Sequence, residues 1–244
     1  MKAIILAGGY AKRLWPLTKD TPKPLLMVGN KEIITRIIEK LEDIKEIDEL
    51  VISTNAKFEN KFKHYLQNIT VSKQCRLVVE PSMGEGEKLG SIGGLNYLID
   101  HLGLDDDVLV IGGDNIFEFS LRNFIDYYSD KDASVIALKK IEDRALLKKY
   151  GVCVLGKDEL ITDFQEKSDK PVSDLASTAC YIFTYSDMML IKKYLAGPNP
   201  PDAMGFFISW LISNASVYGY VFEEDWYDIG SFEQLDGARE RYGQ

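Results

Sequence analysis

Two adjacent glycines, Gly8 and Gly9, follow the apolar run of residues 2–7 and open a loop that carries Arg13 and then Lys23. Lacking a Cβ, they let backbone N–H groups approach an anion, and the two cations add fixed positive charge. The first 24 residues hold five bases against one acid, in a chain of net charge −9. A positive island in an acidic chain suits a small phosphorylated ligand better than a long polyanion, so no nucleic-acid partner is expected. Elsewhere, single acids stand beside glycines. Asp114 follows Gly112-Gly113, and Asp228 precedes Gly230. Taken singly, each reads as a helix cap or turn acid. Glu166-Lys167, taken alone, reads as a surface ion pair of small energetic weight. His64 and His101 fall in polar helical stretches and receive no catalytic role. Cys75, Cys153 and Cys180 lack metal-ligand spacing and read as buried free thiols of a reducing cytoplasm.

The elements that must hold these groups alternate along the chain. Apolar runs at 2–7, 49–53, 76–80, 108–112 and 133–138 read as strands. Stretches at 32–41, 57–66, 121–128 and the later part of 89–102 read as helices. This rhythm predicts an α/β fold, a Rossmann-like three-layer α/β/α arrangement around a mostly parallel sheet. The glycine loop then lies at the carboxyl edge, where open sheets bind ligands. Beyond Tyr150, short strands at 152–155, 160–164 and 178–184 mix with helices and the turn-rich Gly197-Pro198-Asn199-Pro200-Pro201. This smaller mixed part is expected to supply one wall of a pocket. With 45% hydrophobic and 27% charged residues, the composition excludes a disordered, collagen-like or coiled-coil chain. Residues 203–222 are uncharged and of spanning length, but their polar and glycine content makes them a helix at 204–211, a turn and a strand at 217–222. The five-residue apolar run after Met1-Lys2 is too short for a signal sequence, and no membrane association is expected.

The phosphate-loop pattern G-x-x-x-x-G-K-[S/T] is absent, and so is the dinucleotide fingerprint G-x-G-x-x-G, which removes two common nucleotide-binding readings. The segment LAGGYAKRLWPLT at 6–18, followed by PKPLL at 22–26, closely resembles the signature of the sugar-1-phosphate nucleotidylyltransferases, with Ala11 at its Gly/Ala position. The resemblance runs from Met1 to about Gly237. It implies the nucleotide-diphospho-sugar transferase type of fold in a single domain, 1–244. About 1–140 would form a nucleotide-binding half and about 141–244 a sugar-phosphate-binding half, with no C-terminal β-helix domain.

The resemblance also implies roles. Leu6, Ala7, Gly8 and Gly9 would hold the nucleotide, and Arg13 and Lys23 would neutralise the triphosphate and the leaving pyrophosphate. Asp114 and Asp228 match the family's G-D-N and W-x-D-x-G motifs, which carry metal-binding aspartates. In a protein that binds a triphosphate they form an oxygen-donor pair for Mg²⁺. Lys149-Tyr150-Gly151-Val152 and Glu166-Lys167 match the K-Y-G-V and E-E-K-P places. Gly151 and Glu166 would then contact sugar hydroxyls, and Lys167 would join Arg13 and Lys23 as a catalytic cation on the sugar phosphate. Ser168 replaces the usual proline, Pro171 comes three residues late, and Ala179 stands where a glycine is common, so the sugar stays open between glucose and mannose.

Glu80, Gly90 and Ser91 resemble the base-reading elements. A carboxylate only accepts hydrogen bonds, which favours the adjacent N1–H and N2–H of guanine. Backbone groups also read bases, so dTTP, UTP and GTP stay open. The implied reaction joins an NTP and a sugar 1-phosphate into an NDP-sugar and pyrophosphate, by in-line attack at the α-phosphorus. It needs no general base, because a phosphate monoester is largely ionised near neutral pH. The alternative is a non-catalytic NDP-sugar-binding regulatory subunit of the same fold, which loss of Arg13, Lys23 or either aspartate would favour; all four are present. A homo-oligomer is left open.

Overall fold

Along the first strand, Ala3 and Ile5 face one core and Ile4 the other, and all three are fully buried. A strand apolar on both faces has to lie between two helical layers. The computed structural model describes residues 1–243. In chain order the elements are β1 (Lys2–Leu6), β2 (Met27–Val28), β3 (Lys31–Glu32), α1 (Ile33–Glu42), β4 (Glu49–Asn55), α2 (Glu59–Asn68), β5 (Gln74–Glu80) and α3 (Gly90–Leu102). Next come β6 (Val108–Gly112), β7 (Asn115–Phe117), α4 (Leu121–Lys131), β8 (Ser134–Lys140), α5 (Arg144–Leu147), β9 (Gly151–Leu155) and β10 (Ile161–Glu166). The chain ends with β11 (Leu175–Phe183), α6 (Tyr185–Leu195), α7 (Met204–Leu211), β12 (Val217–Phe222), β13 (Trp226–Asp228) and α8 (Phe232–Tyr242).

The main sheet runs β10-β9-β11-β6-β1-β4-β5, with β8 on β11 and β12 on β8. The strands β5, β4, β1 and β6 are all parallel, as is β12 to β8. Antiparallel pairing enters with β11, against β6, β8 and β9. Helices α1, α2 and α4 pack on one face through Ile37, Phe62 and Phe124. Helices α3, α6 and α7 pack on the other through Leu95, Ile191 and Phe207. A smaller apolar cluster joins Leu14, Leu26 and Val28 to Ile229 and Leu235, so the first loop is fastened to the C-terminal helix. No helix among the described residues is long and apolar enough to cross a membrane.

The expected strands and helices form, with shifted edges. Helix α3 begins at Gly90 rather than late in 89–102, and 57–66 divides into a single 3₁₀ turn, Ala56–Phe58, and α2. Residues 203–222 give α7, a turn and β12, as their polar content implies. The unforeseen pair is β7 with β13, three residues each, which lays Asn115 opposite Asp228. Strands this short carry no readable period.

Candidate active site

The loop after β1 is held from below. Ala7 N donates to Ser53 O at 2.7 Å, Gly113 N to Leu6 O at 2.9 Å, and Asn55 Nδ2 to Gly8 O at 2.9 Å. Ala11 takes φ +46° and its carbonyl accepts from Thr18 Oγ1 at 2.7 Å. Glycine takes that left-handed conformation freely, whereas Ala11 holds it against the strain of its Cβ. The chain then turns Lys23 onto Asp114, with Nζ 2.5 Å from Oδ2. Asp228 arrives from β13, and Ile229 N donates to Asp114 O at 3.0 Å. Arg13 Nη2 and Asp228 Oδ2 each lie 3.5 Å from the position a Cβ on Gly230 would take. The cations and acids expected to converge are therefore brought together from three separate stretches.

Their charges set each other's protonation. Burial works against ionised Asp114, but the Lys23 charge and hydrogen bond outweigh it and hold the carboxyl below the usual carboxylate range. Burial and the Asp114 charge push Asp228 up to about 6, against the pull of Lys23, Arg13 and Lys167. Asn115 Nδ2 donates to Asp114 Oδ1 at 2.9 Å, and Trp226 Nε1 to Asn115 Oδ1 at 2.7 Å. The Trp226 ring lies 5.0 Å from that of Tyr150, whose hydroxyl accepts from Gln234 Nε2 at 2.9 Å. Asn115, held by Trp226, thus orients Asp114, while Tyr150 packs on Trp226 and Gln234 Oε1 accepts from Gly230 N beside Asp228. Asn115 and Trp226 stand inside the two aspartate motifs, whereas Gln234 gives no signal in the sequence.

Asp114 and Asp228 are the residues that could hold a metal. No group of three or more His, Cys, Asp or Glu able to hold one stands together among the described residues. Two hard-oxygen donors under mutual repulsion fit Mg²⁺, which takes one or two protein carboxylates and fills its other positions with substrate phosphate and water.

Two cavities open beside this cluster and share Leu6, Ser91 and Asp202. The smaller, about 200 Å³, is lined by Gly8, Gly9, Glu80, Lys88 and Gly90 as well. Glu80 is 5% exposed, and Ser53 Oγ donates to its Oε1 at 2.8 Å. A Cβ on Gly8 or Gly94 would stand 3.0 or 2.9 Å from that oxygen, so both glycines make room for the carboxylate. Burial pushes its carboxyl up, and the Ser53 bond opposes this. The close approach at Gly90, φ +77°, is made by the backbone of Pro201 and Asp202. Ala7, Arg13 and Lys23 line neither cavity. Ala7 is buried beneath the loop, and Lys23 is committed to Asp114.

The larger cavity, about 350 Å³, opens where β11 changes partners. Leu175 and Ala176 pair with β9, residues 180–183 pair with β6, and the register against β8 slips between Ser177 and Tyr181. Ala179 sits in the slip at φ +54°, the conformation glycine takes freely. Asp114, Gly151, Glu166, Lys167 and Asp228 all line this cavity. Lys167 Nζ lies 3.3 Å from Glu166 Oε1. Glu166 Oε2 fills the space that a Cβ on Gly205 would need. Lys149 and Asp202 also line the cavity, and the sequence offered no reason to single out Asp202.

An open α/β sheet with cations, paired aspartates and a glycine loop at the carboxyl ends of its parallel strands defines a nucleotide-handling protein. The chain belongs to the nucleotidyl transferase family, whose profile matches residues 2–244. It is 32% identical over 242 residues to the UTP–glucose-1-phosphate uridylyltransferase AglF of Haloferax volcanii, covering 99% of this chain and 96% of that protein. It is 31% identical over 230 residues to the bifunctional protein GlmU of Methanocaldococcus jannaschii, covering 94% of this chain. There it spans about half the relative's length, 51%. A Bacillus anthracis protein assigned as a glucose-1-phosphate thymidylyltransferase, crystallised with sucrose, has the same fold. Its TM-score is 0.85 at 26% identity, covering 100% of this chain and 96% of that one.

Proposed function

We propose that the chain transfers a nucleotidyl group from an NTP to a sugar 1-phosphate, giving an NDP-sugar and pyrophosphate. The observation that carries this reading is that Lys23 sits on Asp114, Arg13 and Asp228 meet at Gly230, and Asp114, Asp228 and Lys167 line one of two adjoining cavities. The smaller cavity, under the Gly8-Gly9 loop, takes the nucleoside. The larger takes the sugar phosphate, with Glu166 and the Gly151 backbone toward hydroxyls and Lys167 toward the phosphate. A sugar-phosphate oxygen attacks the α-phosphorus in line, and the bond to the β-phosphate oxygen breaks. Arg13 and Lys23 neutralise the triphosphate and the departing pyrophosphate; the chain works by positioning and by charge. Asp114 and Asp228 would hold Mg²⁺, which supplies Lewis-acid charge neutralisation on phosphate oxygens. The unpaired thiols Cys75, Cys153 and Cys180 suit a reducing compartment such as the cytoplasm.

The test is a pyrophosphate-release matrix with Mg²⁺. It sets ATP, GTP, CTP, UTP and dTTP against the 1-phosphates of glucose, mannose, galactose and N-acetylglucosamine. Release from at least one pair, lost on chelation, is the expected result. Silence across the whole matrix would overturn the reading in favour of a non-catalytic binding subunit.

A further inference from the structure

We propose that Asp202 is a specificity-determining residue of the larger cavity. It would accept hydrogen bonds from the hydroxyl-bearing end of an uncharged sugar and turn away sugars that carry a carboxylate. The inference rests on the reading of that cavity as the sugar-phosphate site.

The backbone around Asp202 is fastened on both sides. Its carbonyl accepts from Ser91 N at 3.0 Å and Ser91 Oγ at 2.9 Å. Pro201 O accepts from Ile92 N at 3.1 Å and Gly93 N at 3.3 Å. The first amides of α3, which would otherwise be free to meet an anion, are thus spent on this segment. Gly90 is shaped to receive it, since a Cβ there would stand 2.5 Å from Asp202 Cα. Upstream, Tyr194 OH donates to Pro200 O at 2.9 Å and Asn199 Nδ2 to Tyr194 O at 2.7 Å. Three prolines at 198, 200 and 201 stiffen the turn further. The segment is therefore a rigid partition where the two cavities meet.

The side chain is left with capacity to bind. The Asp202 carboxylate is 57% exposed, and Oδ1 lies 3.3 Å from Lys88 Nζ. Lys88 is shared with Glu85 at 2.8 Å, so it does not saturate Asp202. Three residues on, Gly205 abuts Glu166, which puts two carboxylates at this wall of the cavity. The cation Lys167, 3.3 Å from Glu166 Oε1, and the aspartate pair line the same cavity. This charge layout matches a molecule with an anionic phosphate at one end and neutral hydroxyl donors at the other. A hydroxyl hydrogen bond to a carboxylate is among the stronger ones, whereas a second carboxylate brought beside Asp202 and Glu166 meets their repulsion, since the neighbouring Lys88 and Lys167 are already engaged with acids.

The test uses Asp202→Asn and Asp202→Ser, which keep the carbonyl that caps α3. Binding of glucose, mannose and glucuronic acid 1-phosphates is followed by calorimetry. Wild type is expected to bind its preferred neutral sugar phosphate at least about thirtyfold more tightly than glucuronic acid 1-phosphate. Both variants are expected to shrink that ratio about tenfold, the size of one charge-assisted hydrogen bond. A ratio unmoved in both variants would overturn the role of Asp202 while leaving the cavity's assignment intact. Failure of wild type to bind any neutral sugar phosphate would instead remove the assignment itself, and the proposal with it.

Discussion

Asp114 and Asp228 titrate in opposite directions although Ile229 N, the residue after one, donates to the carbonyl of the other at 3.0 Å. Burial pushes both carboxyls up. Lys23, 2.5 Å from Asp114, reverses the effect there, while Asp228 is left with burial and the repulsion of its ionised neighbour. The folded chain keeps one acid charged to the detriment of the other. Such a pair is relieved by any cation that binds the native state and not the unfolded one.

Asp228→Asn should therefore stabilise the metal-free protein while removing turnover. A carboxyl raised to about 6 binds its proton more tightly in the native chain than in the unfolded one. Its favourable contribution is complete below about pH 4 and is lost as pH rises through 6. At neutral pH the deficit is about 1–3 kcal/mol, which corresponds to a melting shift of roughly 3–8 °C for a chain of this size. Thermal melts in EDTA should show the variant ahead at pH 7.5 and level with wild type near pH 4. Pyrophosphate release should drop by about 10³ or more, as for loss of a metal ligand and its electrostatic role. A variant that melts no higher than wild type at pH 7.5 would sink the account of Asp228.

The strands that carry the site were legible because their residues repeat a pattern. The run into Gly8-Gly9 and the periodic apolar face of α1 announce themselves, and the uncharged stretch 203–222 resolves into α7 and β12 by its polar residues. What stayed hidden depends on distant partners. The Trp226–Asn115 bond joins residues 111 apart through two three-residue strands. The resemblance marks Glu80 as a base-reading residue, but its burial at the end of β5 shows only where Gly8 and Gly94 vacate the space around it. Asp202 sits in a proline-rich turn whose importance comes from capping α3, a contact that no local period encodes.

Lys23→Met should be severe in both respects. It leaves the half-buried Asp114 without its cation, and because that carboxylate keeps some contact with water the loss should be about 1–3 kcal/mol, below that of a fully buried pair. Adding Asp114→Asn removes the stranded charge and should recover most of that stability. It should recover none of the turnover, because the triphosphate cation and the metal ligand are both gone. Urea unfolding of wild type, both single variants and the double variant closes the cycle. Additive losses would mean that the 2.5 Å contact is not energetically coupled.

Gly205→Ala sets helix propensity against packing. Inside α7, alanine gains about 1 kcal/mol over glycine. Its methyl, however, must displace Glu166 Oε2 and lies 2.7 Å from Phe164 Cε1. Overpacking of this kind costs about 1–3 kcal/mol, so the net change in stability should be small. The function should suffer more, because Glu166 is the group that has to move. KM for the sugar phosphate should rise about tenfold or more, with NTP affinity by calorimetry little changed. An unchanged KM would show that Glu166 does not need its observed position.

Ala179→Gly tests the strain at the point where β11 leaves β9 for β6. A side chain held at φ +54° costs about 1–2 kcal/mol relative to a right-handed conformation, and glycine bears no such cost. Against this, glycine gives up about 0.5–1 kcal/mol through the freedom of the unfolded chain. The balance favours the variant by about 0.5–1 kcal/mol. Ala176→Gly, three residues away on the same strand and fully buried, has no left-handed backbone to relieve and should destabilise by about 1 kcal/mol. Opposite signs for the two substitutions in one denaturation series are the expected result. The lost methyl also faces the larger cavity beside Gly112, so the variant should accept a bulkier sugar phosphate than wild type does. Two destabilised variants would show that the slip in β11 is held by packing of the alanine rather than endured in spite of it.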